Sequence, residues 1–444
     1  MVSKVLIANR GEIALRIMRA CRDLDLPCVL VYSEVDRESL PVRLADETVC
    51  IGPSQSAKSY LSVPNIISAA LITQCDAIHP GYGFLSEDRY FAEICGEYNL
   101  TFIGPSADSI ARVANKASAR KEMAAAGLPI VLGSEGSLTT LEEAQIAAAE
   151  IGYPVILKAS AGGGGRGMRV ARNEKELAQC FQVARAEARA AFGDDEVYIE
   201  RYLTRPRHVE VQVLGDRHGN LVFLAERECS IQRRYQKIIE EAPCDFIDEA
   251  TRWRLGEAAV RGARALSFSS AGTLEFLVDD SGDFYFMEMN ARVQVEHGIT
   301  ELVTGVDIVK EQICVAAGER LSMTQQQVVA SGHAIECRVT AETGADFRPA
   351  TGTVEELLLP GGPGVRVDTH LYRGYRVPAH YDSLIAKIMV HGRDREEAIM
   401  RMRRALAETT IEGVANTLPY LRTVLDDTVF RTGEAHTDYA PMAS

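Results

Sequence analysis

The segment Phe286-Met-Glu-Met-Asn-Ala-Arg-Val-Gln-Val-Glu-His297 concentrates the residue types that hold metals, grip anions and move protons. Taken with a period of two, Glu288, Asn290, Arg292, Gln294 and Glu296 fall on one face of an extended chain. Met287, Met289, Ala291, Val293 and Val295 fall on the other. Upstream, Thr273–Val278 reads as a strand and Asp279-Asp-Ser-Gly282 as a tight turn. With Asp280 and Ser281 as the loop, Glu275 pairs with Phe286 and shares the face of Glu288 and Asn290. Glu275, Glu288 and Asn290 then form a hard-oxygen set suited to Mg2+, which keeps waters and phosphate oxygens in its other positions. Arg292 is placed to grip an anion, and Glu296 to accept a proton. A solvated hairpin explains any one of these residues equally well, but not the whole set in one register.

A second chemical signal is the run Lys158-Ala-Ser-Ala-Gly-Gly-Gly-Gly-Arg-Gly-Met168. Glycines 162 to 165 and 167 expose backbone N–H groups that can fold over phosphates, with Lys158 supplying a cation. The Walker pattern is absent, which excludes a P-loop NTPase. Between a β-type run and Met168-Arg-Val170, the glycines read as a mobile lid, with a plain hinge as the alternative. Spacing alone leaves Lys116 and Lys121 as solvated lysines. It likewise leaves Arg338, on the side of Glu336, as a strand-surface arginine and Tyr82 as a turn aromatic.

These groups must be held by a chain of 444 residues, enough for two to four domains. A net charge of −14, from 48 basic and 62 acidic residues, argues against sequence-independent nucleic-acid or anionic-membrane binding. Ten cysteines without a Cys-x-x-Cys pair read as reduced thiols of a cytoplasmic protein. The N-terminus lacks the apolar run of a signal peptide, and no run approaches membrane-spanning length.

Short apolar strands at 4–8, 28–32, 48–51, 77–79 and 101–103 alternate with helical patterns, which predicts a parallel sheet covered on both faces. Residues 1–105 are therefore expected to be Rossmann-like. The glycine fingerprint of dinucleotide binding is missing, with Asn9-Arg-Gly11 in its place. Ser106 or Asp108 is expected to cap a single helix ending at Gly127. Residues 130–203 read as a small α+β unit, His208–Val213 as an alternating strand with a return at 221–225, and residues 331–444 as β-rich.

The chain resembles biotin carboxylases over nearly its whole length. The resemblance rests on Ile7-Ala-Asn-Arg-Gly-Glu-Ile13, His79-Pro-Gly-Tyr-Gly-Phe-Leu-Ser86, the 162–168 loop, Pro206-Arg-His-Val-Glu210, Gln232-Arg-Arg-Tyr-Gln-Lys237, Glu288–His297, Glu336-Cys-Arg338 and Tyr381-Asp-Ser-Leu-Ile-Ala-Lys387. It implies a Rossmann-like domain at 1–105, an ATP-grasp domain at 106–330 with its lid at 130–203, and a C-terminal domain at 331–444. The implied reaction phosphorylates bicarbonate with ATP, and the carboxyphosphate then delivers CO2 to biotin. By resemblance, Mg2+, or Mn2+ in its place, falls at Glu275, Glu288 and Asn290. ATP falls against Lys116, Lys158, His208, Gly163, Gly164 and Gly165, with adenine near Glu200, Leu203 and Met168 and the ribose and phosphate side at Gln232. Bicarbonate falls against Lys237, Arg292, Gln294 and Val295, with Glu296 as the base. Arg338 stabilises the biotin enolate, with Tyr82 nearby. Lys237 and Arg292 are expected to hold the Glu296 pKa down.

The family usually has His at Tyr235 and Pro at Gly298, and the glycine is expected to loosen the backbone after Glu296. The chain carries no Met-Lys-Met biotin attachment motif. Biotin is therefore expected on a separate carrier protein, with carboxyltransferase subunits elsewhere; acetyl-CoA carboxylase of fatty acid biosynthesis is the default setting. Arg16, Arg19 and Arg366 match positions of the family's homodimer interface, and Pro363 departs from the usual aromatic. Two other readings are a different ATP-grasp ligase joining a carboxylate to an amine, and a non-catalytic nucleotide-binding subunit.

Overall fold

Strand Val5–Ile7 is the centre of the first sheet, flanked by Cys28–Tyr32 and Ala77–His79 in parallel register. Glu47–Cys50 and Thr101–Phe102 complete a five-stranded parallel sheet, and Val5, Leu6 and Ile7 are all fully buried. Continuous apolar strands of this kind require cover on both faces. The expected Rossmann-like arrangement is therefore present. This computed structural model describes residues 2–440 apart from 135, 160–167, 194, 234, 344 and 345.

The second sheet is antiparallel and runs through the rest of the chain. Its eight strands are, in spatial order, Phe284–Asn290, Ser270–Val278, Arg207–Gly215, Leu221–Arg233, Gln236–Ala242, His333–Thr340, Leu384–Gly392 and Val365–Thr369. One continuous ladder thus joins the central segment to the β-rich C-terminal segment. A smaller three-stranded sheet, Arg169–Ala171, Val155–Ala159 and Val197–Arg201, packs with helices Leu141–Ile151 and Glu174–Phe192 around its own apolar cluster.

Three expectations change. The helix expected from Ser106 to Gly127 is two helices, Ala107–Ala114 and Lys116–Ala125. Ser106 caps the first by accepting from Ser109 N, and Asn115 breaks the pattern by capping the second through Ser118 N. Lys116 thereby becomes the first residue of a helix. In the hairpin of Ser270–Val278 and Phe284–Asn290, Glu275 pairs with Glu288 rather than Phe286, because Phe276 pairs with Phe286 and Met287 is an extra residue in its strand. This bulge reverses the alternation: Phe286 and Met289 both enter the core, while Glu288 is left half-buried. Finally, the extended run stops at Asn290. Residues 291–294 are irregular, 295–296 form a turn, and helix His297–Thr304 follows.

Candidate active site

One face of the large sheet carries a row of charges set by period-two alternation. Glu210 comes from Arg207–Gly215, Arg227 from Leu221–Arg233, Lys237 from Gln236–Ala242, Glu275 from Ser270–Val278 and Arg338 from His333–Thr340. Lys237, Glu275 and Arg338 border a cleft of ≈ 1810 Å³ whose other wall includes Asn9, Arg10, Tyr82 and Tyr381 from the N- and C-terminal segments, while Glu210 and Arg227 lie fully buried behind them.

Lys237 is the hub. Its Nζ lies 2.5 Å from Glu210, 3.0 Å from Glu275 and 2.8 Å from Glu296 Oε1. Burial opposes its charge, but the three carboxylates push its pKa well above the ordinary lysine value. The second oxygen of Glu296 accepts from Arg338 Nη2 at 2.9 Å. Burial raises the Glu296 pKa, but Lys237, Arg338 and Arg227 outweigh it and hold the carboxyl well below the usual range. Arg292 lies near enough to Glu296 to feel its charge but donates its hydrogen bonds to Glu87 at 2.9 Å and to Asn290 Oδ1 at 3.1 Å. The contact partner of Glu296 on that side is Arg338.

Glu288 receives Lys116 Nζ at 2.6 Å, and Glu275 accepts from Asn290 Nδ2 and Gln294 Nε2, each at 2.9 Å. Two carboxylates on opposed strands with an amide oxygen beside them fit a hard divalent cation such as Mg2+. His208 Nε2 stands 3.0 Å from the other Glu275 oxygen, and its Nδ1 accepts from Gln232 Nε2 at 2.7 Å.

At the far end of the cleft Lys158 contacts Glu200, which also pairs with Arg120. Met168 and Leu203 line the same region. Gly163, Gly164 and Gly165 lie outside the described residues, as does most of the expected lid loop. The hydroxyl of Tyr82 donates to Glu12. Its loop is held because Asn9 Nδ2 donates to the carbonyls of Pro80 at 2.6 Å and Tyr82 at 2.8 Å. Gly81 takes φ +64°, and a Cβ there would meet Asn9 Nδ2 at 2.9 Å, so glycine is required for this approach. Val295 turns its carbonyl to Lys387 Nζ at 2.8 Å.

Gly298 does not act as a loosened hinge. It is buried in helix His297–Thr304, and a Cβ would fall 2.3 Å from Met389 Sδ. Tyr235 is 61% exposed, in a tight turn at φ +65°.

Sequence reasoning missed Glu87, Arg120, Glu210 and Arg227. Arg227 is fully buried and donates to Glu210 at 2.5 Å, Gln212 at 2.9 Å, Thr300 at 2.8 Å, Thr273 at 3.2 Å and Gln294 at 2.9 Å. The alternation His208, Glu210, Gln212 was a usable signal for Glu210. The others depend on segments far apart in sequence.

Three stretches of the chain match known family models. Residues 1–110 match the model of the biotin carboxylase N-terminal domain, and residues 115–324 match the ATP binding domain of the carbamoyl-phosphate synthase L chain. Residues 336–441 match the biotin carboxylase C-terminal domain. The chain is 54% identical to a biotin carboxylase of Nostoc sp. over 98% of each chain. It is 53% identical to biotin carboxylase 1 of Bacillus subtilis over 99% of this chain and 98% of that one. Among solved structures it superposes with TM-score 0.96 on the biotin carboxylase–β,γ-ATP complex from Campylobacter jejuni, at 47% identity over 99% and 98% of the chains. The biotin carboxylase domain dimer of Hydrogenobacter thermophilus 2-oxoglutarate carboxylase, with MgADP, ADP and bicarbonate, gives TM-score 0.94 at 47% identity, covering 99% and 97%.

Proposed function

This chain belongs to the biotin carboxylase family and is an ATP-dependent ligase, and from that premise we propose how its residues divide the reaction. The observation that carries the assignment is the placement of Glu296, whose two oxygens are held separately by Lys237 at 2.8 Å and Arg338 at 2.9 Å. One carboxylate thus joins the face where bicarbonate meets ATP to the face where biotin docks.

Lys237, Arg292, Gln294 and the Val295 backbone hold bicarbonate beside Glu296. Glu296 accepts its proton as the bicarbonate oxygen attacks the γ-phosphorus and ADP leaves. A carboxylate with so low a pKa is a weak base, so the gain comes from alignment and from the loss of the proton's competing charge in the transition state. Lys116, Lys158, His208, Gln232 and the 163–165 glycines cradle the nucleotide phosphates and ribose, and Glu200, Leu203 and Met168 the adenine. Glu275, Glu288 and Asn290 would hold Mg2+, which would supply charge neutralisation for phosphoryl transfer. Arg338 then faces the developing enolate oxygen of biotin, with Tyr82 at its side.

Biotin arrives on a carrier protein, and a carboxyltransferase takes the product; the chain works as a homodimer. The dimer named for the Hydrogenobacter thermophilus structure supports the last point. All ten cysteines are free, which fits a reducing cytoplasm. Among the described residues no helix is long and apolar enough to cross a membrane.

Steady-state ADP release by the purified chain tests the reading. It should require bicarbonate and rise with free biotin; turnover that ignores both would return the chain to another ligase chemistry or to a binding role.

A further inference from the structure

Lys387 lies on the strand Leu384–Gly392, directly opposite Arg338 across the ladder, and is fully buried. An ammonium taken out of water costs several kcal/mol unless its donors are matched. Its Nζ donates to the Val295 carbonyl at 2.8 Å and lies 3.2 Å from Glu12 Oε1 and 3.9 Å from Asp368. The same Glu12 oxygen accepts the Tyr82 hydroxyl. Burial works against the charge of Lys387, but Glu12, Glu336 and Asp368 hold its pKa above the ordinary lysine value, so it stays protonated.

A single buried cation thus ties together three distant pieces of chain. Val295 lies in the turn before the base, Glu12 in helix Gly11–Asp23, and Lys387 in the C-terminal part of the large sheet. The Val295 carbonyl belongs to the peptide unit that leads into Glu296. Fixing that carbonyl fixes the plane of the unit, and with it the direction in which the turn presents its groups to the cleft. Glu12, gripped from the other side by Lys387, sets the direction of the Tyr82 hydroxyl.

We propose that Lys387 is a positioning residue for both halves of the reaction: it aligns the Val295 turn for bicarbonate and, through Glu12, aims Tyr82 at the biotin side of the cleft. The proposal rests on the reading that bicarbonate sits against Arg292, Gln294 and Val295. Lys387 itself need touch neither substrate.

The test is ADP release by the full chain, with bicarbonate, ATP and free biotin varied in turn. Lys387→Met should raise the bicarbonate KM roughly tenfold or more while the ATP KM stays within about twofold. Lys387→Arg keeps the charge but displaces the donor, and should give an intermediate bicarbonate KM. Glu12→Gln should raise the biotin KM by a larger factor than the bicarbonate KM, because Lys387 keeps Asp368 and the Val295 carbonyl. A bicarbonate KM within about twofold of wild type in Lys387→Met, or bicarbonate and ATP KM rising together, would reduce Lys387 to a structural role. If Lys387→Met does not fold, Lys387→Arg decides alone: a wild-type bicarbonate KM overturns the proposal. Gln294→Ala separates the two levels of inference. If it raises the bicarbonate KM and the Lys387 variants do not, the positioning role fails and the bicarbonate site stands. If neither changes it, the bicarbonate site itself is misplaced.

Discussion

Replacing Glu296 by Gln removes the proposed base without changing its shape. The structure indicates how much stability such a change should cost. Glu296 is 2% exposed and accepts two charge-assisted hydrogen bonds, from Lys237 and Arg338. Hydrogen bonds to charged groups contribute about 1.5–3 kcal/mol each. Neither cation is abandoned, however: Lys237 keeps Glu210 at 2.5 Å and Glu275 at 3.0 Å, and Arg338 keeps Glu240 at 2.5 Å. The Gln carbonyl can still accept one bond. The net loss should therefore be about 1–3 kcal/mol, small enough for the variant to fold. ATP binding should hold within about threefold, because the groups proposed for the nucleotide lie elsewhere in the cleft. Turnover should fall by about 10²–10⁴, the usual worth of a positioned general base. The assay is bicarbonate-dependent ADP release, with ATP affinity measured in parallel by calorimetry. A kcat within about tenfold of wild type, in a folded variant that binds ATP, would remove Glu296 from the role of base.

Gly298→Ala should destabilise the fold by about 1–3 kcal/mol, since its Cβ would meet Met389 Sδ at 2.3 Å; Met389→Val in the same chain should recover part of the loss in a chemical melt. Tyr235→His should tighten ATP binding if a neutral phenol weakens the phosphate grip, whereas an unchanged Kd would show that this exposed turn residue does not reach the nucleotide. Burial, reinforced by Arg16 at His79 and by Arg10 at His370, pulls both imidazoles down to about 3. Below pH ~6.5 the unfolded chain gains protons that the native state refuses, so stability should fall with decreasing pH by up to about 1.4 kcal/mol per unit for each His. His79→Gln/His370→Gln should show a shallower slope between pH 6.5 and pH 5 in urea melts, and an identical slope would refute the assignment.

Much of this was legible because alternation is a strong signal. The parallel N-terminal sheet followed from apolar strands at regular intervals, and the face carrying Glu275, Glu288 and Asn290 from period two. The limits have physical causes. Met287 is a bulge, and a bulge leaves no mark in composition, so the expected register was off and the Phe286 burial unforeseen. Asn115 is an ordinary polar residue until it caps a helix. Arg292 looked like the neighbour of Glu296 because both lie on one alternating face. The chain turns after Asn290, sends Arg292 to Glu87 and brings Arg338 from 42 positions away instead. Arg227 and Lys387 are buried cations whose partners come from strands, helices and turns far apart in sequence, and no local window contains such a network.

In this assignment the cleft activates bicarbonate and hands its carbon to biotin. The most direct measurement follows label from [14C]bicarbonate into free biotin in the presence of ATP and Mg2+, with ADP counted in the same tubes. Acid-labile, base-stable label should appear on biotin with the wild-type chain, in step with ADP. It should vanish in Arg338→Met, while bicarbonate-dependent ADP release persists. ADP formation with no label reaching biotin under any condition would mean that the cleft does not carboxylate biotin.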